Sequence, residues 1–159
     1  GLSKAEIKKG LYSYRPIEKR WEEEKIQGLT FINDSYNANP ESVKASVKTF
    51  VELYQNPVVV LGDMKELGDN EIEYHKEVGK YLSKLNKNVK YLTVGNLAKE
   101  TGKELENNGF EVHHFESNKD VSCYILENLN KDNTIFLKAS RSMQFEEILD
   151  NIRRGICKL

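Results

Sequence analysis

Pro57-Val58-Val59-Val60-Leu61 is an unbroken apolar run centred on three β-branched residues, and Gly62-Asp63 ends it. A strand with one face in water alternates apolar and polar residues. A run without alternation belongs to a strand covered on both faces. A chain containing such a strand must also supply two helical layers, and the rest of the sequence can be searched for them.

Four shorter runs repeat the strand pattern: Thr30-Phe31-Ile32 ending near Asp34, Val89 to Val94, Phe110 to Phe115, and Thr134 to Lys138. Between them the apolar period lengthens to that of a helix. Val43, Val47, Phe50, Val51 and Tyr54 share a face, as do Tyr74, Val78, Tyr81, Leu82 and Leu85. Val121, Ile125 and Leu129 form a third face, and Phe145, Ile148, Leu149 and Ile152 a fourth. Asn96 to Asn108 is a sparser helix, resting on Leu97, Thr101 and Leu105. Asn39 before Pro40 is a helix start, because Asn caps free amides and proline at the first position loses no hydrogen bond. The alternation predicts an α/β fold, a Rossmann-like three-layer sandwich with a mostly parallel sheet and helices on both faces. Right-handed crossovers then gather strand ends and helix starts on one edge.

The first residues read differently. Ser3 to Leu11 fits a short helix, Tyr14-Arg15-Pro16 breaks it, and Arg20 to Ile26 fits a strand paired with Thr30–Ile32 across Gly28. We therefore divide the chain into residues 1–27, a linker and first strand entering the domain, and residues 28–159, the domain itself. The start Gly1-Leu2-Ser3-Lys4 has neither a Met nor a signal peptide's apolar stretch, and reads as a piece cut from something longer.

Composition removes several function classes. The 24 basic and 25 acidic residues leave a net charge of −1, which is no footprint for nucleic acid or an anionic membrane. No apolar run approaches the roughly 20 residues that cross a bilayer. Cys123 and Cys157 show no metal or redox spacing and read as two reduced thiols of a cytoplasmic protein.

Polar residues collect at four strand ends. Asn33-Asp34-Ser35-Tyr36-Asn37-Ala38-Asn39-Pro40 offers a carboxylate for two ribose hydroxyls, amides for a base edge and a ring for stacking; the same residues also serve turns and caps. Gly62-Asp63-Met64-Lys65-Glu66-Leu67-Gly68 follows the strongest strand, and Asp63 sits at its very end. Lys138-Ala139-Ser140-Arg141-Ser142 places a guanidinium beside a helix start, a plausible anion site. Arg20 and Trp21 form the fourth, ahead of an acidic run. His75 reads as a core or boundary histidine, and His113-His114 have no metal-spaced partners. There is no Gly-Lys-Ser/Thr loop to hold phosphates, so a chain handling ATP would need help.

DSYNANP at Asp34 to Pro40, GDMKELG at Gly62 to Gly68 and KASRS at Lys138 to Ser142 together resemble the C-terminal domain of the Mur ligase family. The likeness is to the branch that adds D-alanyl-D-alanine to UDP-N-acetylmuramoyl-tripeptide. It covers the whole chain, from a linker similar to the family's GLS…I…GL…P…R. The resemblance implies a three-domain, ATP-dependent acid–amino-acid ligase of peptidoglycan precursor synthesis that works through an acyl phosphate. One missing domain would hold the UDP-sugar and another ATP and Mg2+; this domain would close on top and be inactive alone. By the same resemblance, Arg20, Asp34, Tyr36, Asn37 and Asn39 bind nucleotide, and Ser140, Arg141 and Asp63 bind substrate. Arg141 and Lys138 are candidates for a catalytic part, and no residue is assigned to a metal. Two departures stand out: Asn33 where a second acid is usual, and Ala139 where glycine is usual, which could limit how closely a ligand approaches. The alternatives are a stand-alone nucleotide- or peptide-binding module without ligase activity, or another member of the Mur and folylpolyglutamate ligase superfamily.

Overall fold

A computed structural model of the chain describes residues 3–7, 20–85 and 88–157. The strands are β1 (Glu22–Ile26), β2 (Leu29–Asn33), β3 (Pro57–Gly62), β4 (Lys90–Val94), β5 (Glu111–Phe115) and β6 (Thr134–Lys138). The helices are α1 (Pro40–Leu53), α2 (Glu71–Leu82), α3 (Ala98–Asn107), α4 (Asn118–Asn128) and α5 (Glu146–Arg154), with single 3-10 turns at Gly68–Asn70 and Arg141–Met143. Residues 4–7 are helical. The rest of the expected first helix and the break at Tyr14-Arg15-Pro16 lie outside the described residues.

One sheet runs in the order β1-β2-β6-β3-β4-β5. β1 pairs antiparallel with β2, and every other pair is parallel. The β1–β2 hairpin turns on Gln27 (φ 54°) and Gly28 (φ 80°). Two successive positive φ values match a tight hairpin to the twist of its strands, and glycine takes one of them without strain.

β3 shows why the unbroken apolar run was needed. Val58 and Val60 enter a core with Val121, Ile125, Ile148 and Ile152 from α4 and α5. Val59 and Leu61 enter a second core with Val47, Phe50, Val78 and Leu105 from α1, α2 and α3. Both faces of the strand are covered, so a polar residue anywhere along it would be stranded without partners.

α1 starts where the Asn-Pro pair predicts. Asn39 Oδ1 accepts from the Ser42 amide at 2.9 Å, and Ser42 Oγ accepts from the Asn39 amide at 3.1 Å. Each side chain satisfies an amide that the helix leaves open.

Two expectations need correction. α2 buries His75, Val78, Gly79 and Leu82, whereas Tyr74, read as part of the apolar face, is 37% exposed. The face is rotated because α2 packs closely on α3 at Gly79. A Cβ there would lie 2.7 Å from Glu104 Cβ and 2.8 Å from the Thr101 carbonyl oxygen. The tightest helix contact falls where there is least side chain, and hydrophobicity alone points elsewhere.

The cysteines, read as two free thiols, form a disulfide: Cys123 and Cys157 are bonded, with Cα atoms 5.2 Å apart. Cys123 lies on α4. α5 packs beside it, and the left-handed turn at Gly155 (φ 60°) returns the chain to bring Cys157 within reach. Their 34-residue separation carried no sign of this.

Candidate functional site

At the carboxyl end of the sheet, β2 and β6 are neighbours whose following segments leave toward opposite faces. β2 leads to α1 in one layer, and β6 leads to α5 in the other. Such a divergence opens a crevice, the usual ligand position in sheets of this kind.

Asp34 follows β2, with its amide donating to the Leu137 carbonyl at 2.9 Å. Lys138 closes β6. Its Nζ lies 2.8 Å from Asp34 Oδ2 and 3.4 Å from the Asp34 carbonyl oxygen. The two side chains are 6% and 13% exposed. A pair this enclosed is screened little by solvent, and removing one partner would leave a nearly buried charge.

Asn33 is buried and uses its Oδ1 as the acceptor for the Ser35 amide (3.2 Å) and the Ser35 hydroxyl (2.6 Å). It therefore sets the turn that points Asp34 at the crevice. Asn37 Oδ1 accepts from the Ala38 amide at 2.8 Å. The guanidinium carbon of Arg20 stands 4.8 Å from the centre of the Tyr36 ring, and that of Arg141 stands 5.8 Å from it. Two cations thus gather around one phenol ring, whose quadrupole attracts them.

An open cleft of about 450 Å³ connects these groups, lined by Arg20, Trp21, Asp34, Asn37, Asn39 and Lys138 and by Ser42, Ser46 and Thr49 of α1. Sequence reasoning missed the α1 wall. Its signal was present: hydroxyls at 42, 46 and 49 share one helical face. Ser46 and Thr49 donate to the carbonyls of Ser42 and Ala45, which leaves their oxygens as acceptors. Trp21 was noted but given no role. Its ring packs 5.4 Å from that of Phe136 and lines the cleft.

Asp63 and Ser140 turn inward. Asp63 is 2% exposed; its Oδ1 accepts the amides of Leu97 (2.9 Å) and Ala98 (2.8 Å), and its Oδ2 takes Lys65 Nζ at 2.9 Å. Its carbonyl accepts the Ser140 amide at 3.1 Å, and Ser140 Oγ accepts the Lys65 amide at 2.8 Å. Asp63 therefore caps the start of α3 and locks three strand-end loops together. The substrate contact expected of Asp63 from the sequence would have to be made by a carboxylate already engaged by α3 and Lys65.

His75 is a core histidine, as its place on the helix suggested. His75 is 1% exposed with both ring nitrogens in hydrogen bonds to backbone, and burial holds its pKa below the usual value. His113 and His114 lie on β5, at the opposite edge of the sheet from β1. Among the described residues no cluster of three His, Cys, Asp or Glu is arranged to hold a metal, and no helix is long and apolar enough to cross a membrane.

The family model for the Mur ligase, glutamate ligase domain matches residues 19–141, from just before Arg20 to the Arg141 that meets it on Tyr36. The chain belongs to the Mur ligase family. Its similarity to the UDP-N-acetylmuramoyl-tripeptide–D-alanyl-D-alanine ligase of Bacillus subtilis is 37% identity over 158 residues, covering 96% of this chain and 34% of that relative. Among solved structures it is similar to the MurF of Acinetobacter baumannii (TM-score 0.75, 24% identity, 97% of this chain and 34% of that one). It is also similar to the MurF ligase of Thermotoga maritima in complex with ADP (TM-score 0.69, 22% identity, 91% and 32%). These two share the fold. The chain spans about a third of the length of the relatives it matches.

Within this Mur ligase domain the Ala139 departure has a different meaning from the one its position suggested. Ala139 is fully buried, and a Cβ on Gly62 would come within 2.6 Å of its methyl. The methyl points into the core between β3 and β6, away from the cleft, so it sets strand packing instead of ligand approach.

Proposed function

We propose that this domain closes over the nucleotide in an ATP-dependent ligase that joins D-alanyl-D-alanine to UDP-N-acetylmuramoyl-tripeptide in the cytoplasm, in peptidoglycan precursor synthesis. The observation that carries this reading is the Asp34–Lys138 pair at the floor of a cleft also lined by Arg20, Asn37 and Asn39. A carboxylate fixed in place by an enclosed ammonium is a strong acceptor for two adjacent ribose hydroxyls. Tyr36 supplies a flat apolar face, and the α1 hydroxyls supply acceptors for an exocyclic amine. Arg20 and Arg141, now stacked on Tyr36, stand where a phosphate chain leaving the ribose would meet them.

In the reaction the precursor's terminal carboxylate is activated by ATP as an acyl phosphate, and the amine of D-alanyl-D-alanine displaces phosphate. Charge grows on the phosphoryl oxygens and the tetrahedral carbon, and preorganised cations in a water-poor cleft stabilise it. Arg141 is the group of this domain best placed for that part. Ser140, fixed by the Lys65 amide, holds the loop that carries Arg141. ATP and Mg2+ would be held mainly by the domains that the longer relatives carry.

The test is steady-state kinetics of the longer ligase carrying Asp34→Asn. A ribose contact is present in ground and transition states alike, so its loss raises the ATP KM with little change in kcat. A hydrogen bond to a charged group contributes about 1.5–3 kcal/mol, which predicts a rise of at least about tenfold. An unchanged ATP KM removes Asp34 from the nucleotide site.

A further inference from the structure

His75 belongs to none of the groups above, yet it is the most completely specified histidine in the domain. Nδ1 lies 2.7 Å from the Glu71 carbonyl, which can only accept. Nε2 lies 3.0 Å from the Met64 amide, which can only donate. The ring is therefore neutral, with its proton on Nδ1, and a second proton would set N–H against N–H. Met64 sits between Asp63 and Lys65. On one side the Asp63 carboxylate holds the start of α3 and the Lys65 ammonium. On the other, the Lys65 amide donates to Ser140 Oγ, and the Ser140 amide returns to the Asp63 carbonyl. α3 secures the histidine's own backbone, with Thr101 Oγ1 donating to the His75 carbonyl at 2.8 Å.

We propose that His75 is a positioning residue for the ligation site: its neutral imidazole holds the Met64 amide and so fixes the turn that presents Lys65 and seats Ser140 beside Arg141. The inference rests on the reading above that the Ser140–Arg141 loop faces substrate. The loop order it describes is a property of the chain by itself and can be measured without substrate. The chain is 11 residues from Met64 to His75 and 75 from Lys65 to Ser140, so a local defect in α2 would be felt at the end of β6. A histidine that merely fills the core would not transmit in this way.

The charged groups bearing on the ring are Asp63 and Lys65 from the loop after β3 and Glu71 from its own helix; α3 presents the uncharged Thr101. Burial disfavours the charged ring and lowers its pKa from the ordinary value, so protonation of the imidazole is what this corner resists.

The experiment is a pH titration of the 15N-labelled chain by NMR, following the ring nitrogens of His75 and the amides of Met64, Lys65 and Ser140. The expected result is an Nδ1–H ring at neutral pH, and amide shifts at all three positions that share the midpoint of the His75 titration. Two variants accompany it. His75→Gln offers a carbonyl oxygen to the Met64 amide and is expected to keep the three amides near their native shifts at every pH. His75→Leu fills the space without an acceptor and is expected to displace them at every pH. If the Lys65 and Ser140 amides stay fixed while His75 titrates, or if Gln displaces them as much as Leu, the proposal is overturned. Should Leu prevent folding, the wild-type titration and the Gln variant decide alone. In the longer ligase, His75→Gln is expected to retain kcat into mildly acidic pH where the wild type loses it. A normal Asp34→Asn profile would overturn the nucleotide reading and leave the loop measurements standing.

Discussion

Tyr91 stands on β4 with its ring edge-on to Phe110, 5.5 Å between centroids, fully buried and with no hydrogen-bond partner for its hydroxyl. Burial pushes the phenol pKa upward. An unpaired hydroxyl in a core gives up water for nothing, at about 1–3 kcal/mol. Tyr91→Phe keeps the ring packing and is expected to stabilise the domain by about 1 kcal/mol, seen as a higher urea midpoint at constant m-value. A lower midpoint would mean that the hydroxyl is satisfied after all. Asp34 and Lys138 teach the opposite lesson at the same scale. Each was recognisable as a site residue from its motif, but 104 positions separate them, and nothing in either motif says that one is the other's counter-ion. Asp63 was legible as important because it ends the strongest strand. That its carboxylate is turned to α3 and Lys65 depends on where β4 ends, which the residues around Asp63 do not encode.

Among the elements, the end of β3 is packed tightly at Gly62. A methyl added there would meet Ala139 Cβ at 2.6 Å and the Phe145 ring at 2.7 Å, and both neighbours are fully or almost fully buried. Gly62→Ala is expected to destabilise the domain by about 1–3 kcal/mol through overpacking. Adding Ala139→Gly should recover part of the loss, and a double-mutant cycle in denaturant measures the coupling. Additive effects would show that the two positions do not share the space. The disulfide joins α4 to the turn after α5. A loop of 34 residues makes its contribution about 4 kcal/mol on the chain-entropy account. Reducing it, or Cys123→Ser, is expected to lower the thermal midpoint by several degrees, and an unchanged midpoint would mean that the thiols are free in solution. β2 to β6 and the helices α1, α4 and α5 were plain in the periodicity, and α3 was fainter. α2 was found but rotated, because a glycine contact and a hydrogen-bonded histidine, neither of them hydrophobic, decide which side faces in.

At the scale of the whole molecule, His75 also ties stability to pH. Its folded pKa lies below the ordinary 6.5 because burial disfavours the charged ring. Above 6.5 both folded and unfolded chains carry it neutral, and its contribution is fully present. As pH falls through 6.5 the unfolded state binds the proton first, so stability declines until the lower folded pKa is passed. Urea midpoints should therefore drop between pH 7.5 and 5.5, and His75→Gln should flatten that drop; an equal drop in the variant would place the pH sensitivity elsewhere. Glu100 and Glu111, held below the usual carboxylate range by Lys103 and Lys90, act only at lower pH and outside this window.

The division between what was legible and what was not follows the range of the forces. Periodicity, caps and the turn at Gly28 are set by residues a few positions apart, so the strands, most of the helices, the two-faced sheet and the three motifs at its edge were legible in the order of the residues. The sheet order β1-β2-β6-β3-β4-β5 is settled by which faces bury together. That order put Asp34 against Lys138, and the packing of the helices on it brought Arg141 over Tyr36 and Cys123 beside Cys157. It also chose, among polar residues of similar type, those facing the cleft and those that hold its walls, because buried polar groups must find partners and the nearest ones lie on other strands.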